Sequence, residues 1–176
     1  LNGKDAVIQT LGIGGKGNIA TITTTGSDAV NDRKQASYDL VEKEYPDVKI
    51  VQEEIVQNMT TEEALTLMEN ISQANPDLAG VFTTGDVFAI GICSALQSNG
   101  YAAGEVKVTS VDGTKNAVEL IKSGYLLATA AQLPKELGIH SVKNAVDYLN
   151  GKDVEKLEYL DCKEVNKDNA DSYEGF

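Results

Sequence analysis

The chain is short of basic residues, of histidine, of cysteine and of long apolar runs, and each shortage removes a class of function. Lysine and arginine number 15 against 27 acidic residues, a formal net charge of −12, and nowhere do three basic residues follow one another. Phosphate binding needs a concentrated positive patch, so nucleic acid is excluded as a partner and an anionic membrane surface is disfavoured. No segment approaches the ~20 consecutive apolar residues that span a bilayer. The opening Leu1-Asn-Gly-Lys-Asp5 has neither the basic nor the apolar region of a signal peptide. The single histidine, His140, sits in a helical pattern with no cysteine or second histidine nearby, so neither a zinc site nor a Ser/His/Asp triad can be built on it. Cys93 and Cys162 lie in separate elements at no metal-ligand spacing and read as thiols in preference to a disulfide.

What is present is an ordinary globular composition, 41% apolar and 24% charged over 176 residues, enough for a packed core. Strand and helix patterns alternate with clear punctuation. Residues 1–11 read as the tail of a helix stopped by a glycine cluster, and Asn18 to Thr24 as a strand. Ser27-Asp28 caps a helix to about Glu44, and Val48 to Val56 is the second strand. Thr60-Thr-Glu-Glu63 has the capping-box form ahead of Ala64, Leu65, Met68, Ile71 and Ala74 at helical spacing, ended by Asn75-Pro76. Further strands are expected at Ala79 to Thr84, Val106 to Val111 and Leu126 to Ala131. Each is followed by a helix, the last running from Pro134 to Gly151, and an extended segment from Leu157 to Val165 closes the pattern. Five βα units joined by short loops predict an α/β fold with a doubly wound parallel sheet and helices on both faces.

Motifs that suggest chemistry fail on context. Gly12-Ile-Gly-Gly-Lys-Gly17 follows a helix and opens a strand, the reverse of a phosphate loop, so it reads as a turn. The pairs Glu53-Glu54 and Glu62-Glu63 read as solvated surface, the second pair favoured by the helix dipole. No glycine fingerprint follows a strand and no nucleophile has a base, so an enzyme is not expected and no cofactor or metal is called for.

Polar residues do collect at the C-terminal ends of the predicted strands, where an open α/β sheet binds ligands. Asp28 and Asp86 there are explained as N-caps. Arg33, Asp112 and Gln132 are not, and together they supply a donor fork, a charged acceptor and an amide that does both, a set suited to a small hydroxyl-rich molecule.

Around these residues the chain resembles the C-terminal half of a type I periplasmic sugar-binding protein of the ribose-binding group. The resemblance rests on Gly17-Asn-Ile-Ala-Thr-Ile, Asp32-Arg33, Met68-Glu-Asn70 with Ala74-Asn-Pro-Asp77, Val81-Phe-Thr-Thr-Gly-Asp86 with Ala89-Ile-Gly91, Val111-Asp-Gly-Thr114 and Ala128-Thr-Ala-Ala-Gln-Leu-Pro134. It implies a lobe of the flavodoxin-like three-layer α/β/α type, extracytoplasmic (periplasmic or anchored at the cell surface), working with an ABC permease in the membrane, with Arg33, Asp112 and Gln132 as sugar contacts. Three ligand positions depart from the ribose-binding pattern. Met59 stands for a stacking aromatic, Gly85 for an asparagine and Val111 for an aromatic, which argues for a different sugar-like ligand.

The resemblance also implies boundaries. Residues 1–132 are the ligand-binding lobe, 133–156 a helix and linker that belong with a first lobe, and 157–176 a returning strand and tail. The helix at 134–150 then carries Leu137, Ile139, Val142, Ala145, Val146 and Leu149 as an apolar stripe without its usual sheet, which packs back on its own lobe or docks on another chain, self-association included. The alternative reading is the effector-binding core of a lac-repressor-type transcription regulator, which shares the fold; the acidic charge and the uninterrupted binding-protein signatures disfavour it.

Overall fold

The computed structural model describes residues 15–156, 158 and 160–176. The helix expected over 1–11 therefore lies outside the described residues, as do Gly12 and Gly14. At the end of that cluster Gly15 and Gly17 take φ of +73° and +123°, the left-handed territory a glycine turn uses.

Six strands form one sheet: β1 Gly17–Thr23, β2 Val48–Ile55, β3 Leu78–Thr83, β4 Lys107–Asp112, β5 Ala128–Ala131 and β6 Lys163–Asn166. Their order is β2-β1-β3-β4-β5-β6. The first five are mutually parallel, and β6 adds antiparallel to β5 with Ala131 opposite Lys163. The last extended segment is thus shorter and later than the sequence pattern suggests. Ladder pairing begins only at Lys163, and Leu157 and Tyr159 lie outside the described residues.

Among the described residues five α-helices accompany the strands: α1 Asp28–Glu44, α2 Thr61–Ala74, α3 Asp86–Ser98, α4 Lys115–Ser123 and α5 Pro134–Leu149. Their starts follow local chemistry. The side chains of Ser27, Thr60 and Thr114 accept from the amides of Val30, Glu63 and Ala117. Helix α4 ends on Gly124 at φ +83°, the left-handed cap that glycine tolerates.

The parallel sheet is covered on both faces, as its apolar strands require. On one side Ala64, Met68 and Ile71 of α2, Phe88 and Ile92 of α3 and Ala117 and Ile121 of α4 pack on Ala20, Ile22, Val81 and Val108. On the other, Leu40 and Val41 of α1 pack on Ile19, Phe82, Val111 and Ala130. Helices α2 and α3 meet at Gly91, where a Cβ would lie 2.2 Å from the Thr61 carbonyl oxygen and 2.8 Å from the Leu65 nitrogen, so only glycine fits. The Thr61 hydroxyl adds a bond to the Val87 carbonyl at 3.0 Å.

Helix α5 buries no side chain. Leu137, Ile139, Val142, Val146 and Leu149 are all at least half exposed, so of the fates open to this stripe, packing back on its own lobe is not the one adopted. His140 and Asn144 tether the helix to Glu158 at 3.0 and 2.8 Å, which is surface work for the lone histidine. Cys93 is buried under the sheet, its thiol pushed up to about 12 by burial, and no disulfide joins it to the half-buried Cys162.

Candidate functional site

The parallel strands all end at one edge of the sheet, and the loops leaving that edge bring three of the anticipated residues into contact. Asp112 closes β4, Gln132 follows β5, and Arg33 reaches over from the second turn of α1. The Gln132 side-chain amide donates to Asp112 Oδ1 at 2.5 Å, and the Gln132 main-chain N–H donates to the Asp112 carbonyl at 2.9 Å. Arg33 donates to the Thr84 carbonyl at 3.1 Å and stands 3.8 Å from Asp112 Oδ1. The Arg33 and Asp112 side chains remain 13% and 26% exposed, so each keeps hydrogen-bonding capacity for a solute.

Burial raises the Asp112 pKa above the ordinary carboxylate value, and the nearby charge of Asp86 pushes the same way; the Gln132 bond, the Arg33 charge and the Asp86 N–H oppose them. The backbone of Asp112 is itself unusual, with φ +135°, a region where a non-glycine residue costs about 1–3 kcal/mol. Gly113 follows at φ +89°, and a Cβ there would lie 2.4 Å from that of Ala131, so the turn tolerates no side chain. Strain of this kind persists only where surrounding contacts hold it.

Met59 and Gly85 flank the trio. Met59 has φ +57° and is 53% exposed on the rim, its sulfur accepting from the Thr24 hydroxyl at 3.1 Å. The loop before it is closed by Glu63, whose carboxylate takes the N–H groups of Gln57 and Asn58 at 2.8 and 2.7 Å; those bonds lower its pKa. Gly85 opens directly on Asp112, since a Cβ there would sit 3.4 Å from Asp112 Oδ2. Val111 does not join them. It is fully buried beneath α1, because strand alternation points it to the opposite face from Val108 and Ser110, and it offers no surface to a solute.

Two cap assignments also change. Ser27, not Asp28, is the N-cap of α1, and Gly85 occupies the N-cap of α3 without any side-chain bond. Asp86 is instead fully buried and accepts from Ser110, Thr129, Gly113 and Thr114. The signal for this was present as inward hydroxyls at residues 110, 114 and 129 on neighbouring elements, but an aspartate at a helix start reads first as a cap. Among the described residues no group of three or more histidine, cysteine or acidic side chains is arranged to hold a metal.

The sequence and the fold both have known counterparts. The family described as periplasmic binding protein domain matches residues 10–153. The ribose import binding protein of Salmonella typhimurium is 39% identical over 103 residues, 58% of this chain and 34% of that protein. The xylitol-binding protein of Mycolicibacterium smegmatis is 30% identical over 165 residues, 90% of this chain and 45% of that protein. A crystal structure of a periplasmic solute binding protein from Actinobacillus succinogenes with bound D-allose superposes with a TM-score of 0.90 at 33% identity, covering 98% of this chain and 61% of that one. The chain therefore spans less than half the length of these curated relatives. They are solute-binding proteins, which does not favour the regulator alternative. No described helix is long and apolar enough to cross a membrane. The chain belongs to the periplasmic binding protein family, in its type I, sugar-binding branch.

Proposed function

We propose that this chain is the C-terminal lobe of the solute-binding component of an ABC sugar importer, a non-enzymatic receptor that holds a sugar-like molecule in a cleft between two lobes. The observation that carries this reading is the contact of Arg33, Asp112 and Gln132 at the strand ends, all three partly open to solvent. Such a trio offers a solute hydroxyl both donors and acceptors without requiring net charge on the solute. Residues 1–132 form the binding lobe in this reading. Residues 133–156 dock on a first lobe, which would cover the exposed stripe of α5, and 157–176 return to the sheet. Met59 and Gly85 shape the rim of the site. Met59 gives a thioether in place of a flat ring, and Gly85 leaves room beside Asp112. Both changes favour a solute other than ribose. The receptor works outside the cytoplasm and hands its cargo to a membrane permease.

A thermal-shift screen of the full-length protein against pentoses, hexoses and polyols tests this, because a ligand that binds only the native state raises its stability. At least one member of the panel should raise the midpoint, and Arg33→Ala should abolish the rise. A panel without any response, confirmed by calorimetry, would sink the reading.

A further inference from the structure

Asp86 touches no open surface of the crevice, yet its carboxylate accepts five hydrogen bonds. The hydroxyls of Ser110 and Thr129 donate to Oδ1 at 2.5 and 2.8 Å, which anchors it to β4 and β5. The N–H groups of Gly113 and Thr114 donate to Oδ2 at 2.8 and 2.7 Å, and the Thr114 hydroxyl does so at 3.0 Å. Consecutive turn amides aimed at one point form an anion-binding concavity, and here the protein fills it with its own side chain. In return the Asp86 N–H faces Asp112 Oδ2 at 3.4 Å. We infer that Asp86 is the positioning residue of this site: it clamps the turn at residues 112–114, which has positive φ at Asp112 and Gly113, and so aims the Asp112 carboxylate at the solute. The inference rests on the reading of Arg33, Asp112 and Gln132 as solute contacts.

The turn needs a clamp, because Asp112 at φ +135° would relax if the two amides after it were released. Helix capping does not account for Asp86, since Gly85 holds the cap position and no amide of α3 bonds the Asp86 side chain. A simple brace between strands would give Asp86 a role in stability alone. Its position predicts more, because its charge is felt by Asp112. The charged and titratable groups around this pair are Arg33 from α1, which opposes that effect on Asp112, and Tyr173 from the C-terminal segment, which faces Asp86.

The test uses the full-length protein with Asp86→Asn and Thr129→Val. Asparagine removes the charge and one of the two acceptor oxygens, so a single neutral oxygen is left for donors that now share a carboxylate, and the valine removes one anchor while keeping the charge. The readouts are the carboxyl carbon titration of Asp112 by NMR, amide exchange at Gly113 and Thr114, and calorimetry with D-ribose, D-allose and xylitol. Asp86→Asn should lower the Asp112 midpoint, speed exchange of both amides at least about tenfold and weaken the best probe by about tenfold or more. Thr129→Val should move exchange and affinity the same way by less. Unchanged exchange and an unchanged Asp112 midpoint in a folded Asp86→Asn protein would overturn the proposal. Should that variant not fold, unaltered exchange in Thr129→Val would overturn it equally. If no probe binds the wild-type protein, the solute reading fails by itself, and exchange and titration still decide whether Asp86 holds the turn.

Discussion

Gln132 grips Asp112 twice, by its side-chain amide at 2.5 Å and by its main-chain N–H at 2.9 Å. The second bond belongs to the backbone, so it survives any substitution at 132 except proline, and the first does not. A change at Gln132 therefore alters the acceptor presented to a solute without releasing the end of β4.

Gln132→Ala should weaken solute binding by about 10- to 100-fold, the range expected for losing hydrogen bonds to a charged group. The fold should stay intact. Calorimetry and a thermal melt on the same preparation check both halves, and a variant that binds like wild type would remove Gln132 from the site.

Asp112→Asn should abolish binding and, at neutral pH, raise the thermal midpoint. The sign follows from the raised Asp112 pKa, which burial causes first and the Asp86 charge second. The folded chain holds the Asp112 proton more tightly than the unfolded chain, so ionising it disfavours the fold. That penalty grows as pH rises from the ordinary value of 3.8 through the raised one, and is absent below both. The stability gap between variant and wild type should close in acid, as paired melts across the range would show. A variant less stable than wild type at neutral pH would reverse the assignment.

Replacing Leu137, Val142 and Leu149 by Gln should change the stability of this chain alone by no more than about 0.5 kcal/mol, because none of the three is buried. It should also suppress concentration-dependent association, read by sedimentation velocity. In the full-length protein the same changes should loosen the pairing of the two lobes. The unsubstituted chain alone, with one wall of a cleft, should show weak or undetectable sugar affinity by calorimetry.

The alternation of strands and helices was legible because local signals agree with the fold. Thr60 and Thr114 cap where they should, and Asn75-Pro76 and Gly124 stop the helices that precede them. Arg33, Asp112 and Gln132 were legible as polar residues at one end of successive units. What sequence could not show is set by long-range placement. The antiparallel return of β6 depends on pairing across residues 132–162, which no local pattern encodes. Asp86 was misread because a buried acceptor and a helix cap draw on the same residue type, and its donors come together only when β4 and β5 are side by side. Val111 precedes Asp112 in sequence but faces the core under α1.

The contact at Gly91 bears on how the crevice can respond. The loops carrying Met59 and Gly85 lead straight into α2 and α3, whose backbones touch there and are stitched by the Thr61–Val87 bond. One loop cannot swing outward without dragging the other. In the proposed reading, this wall would meet a solute with the ordering entropy already spent during folding, and would sort molecules by size without adapting to them. Any tolerance for differently shaped cargo has to come from whatever surface faces it.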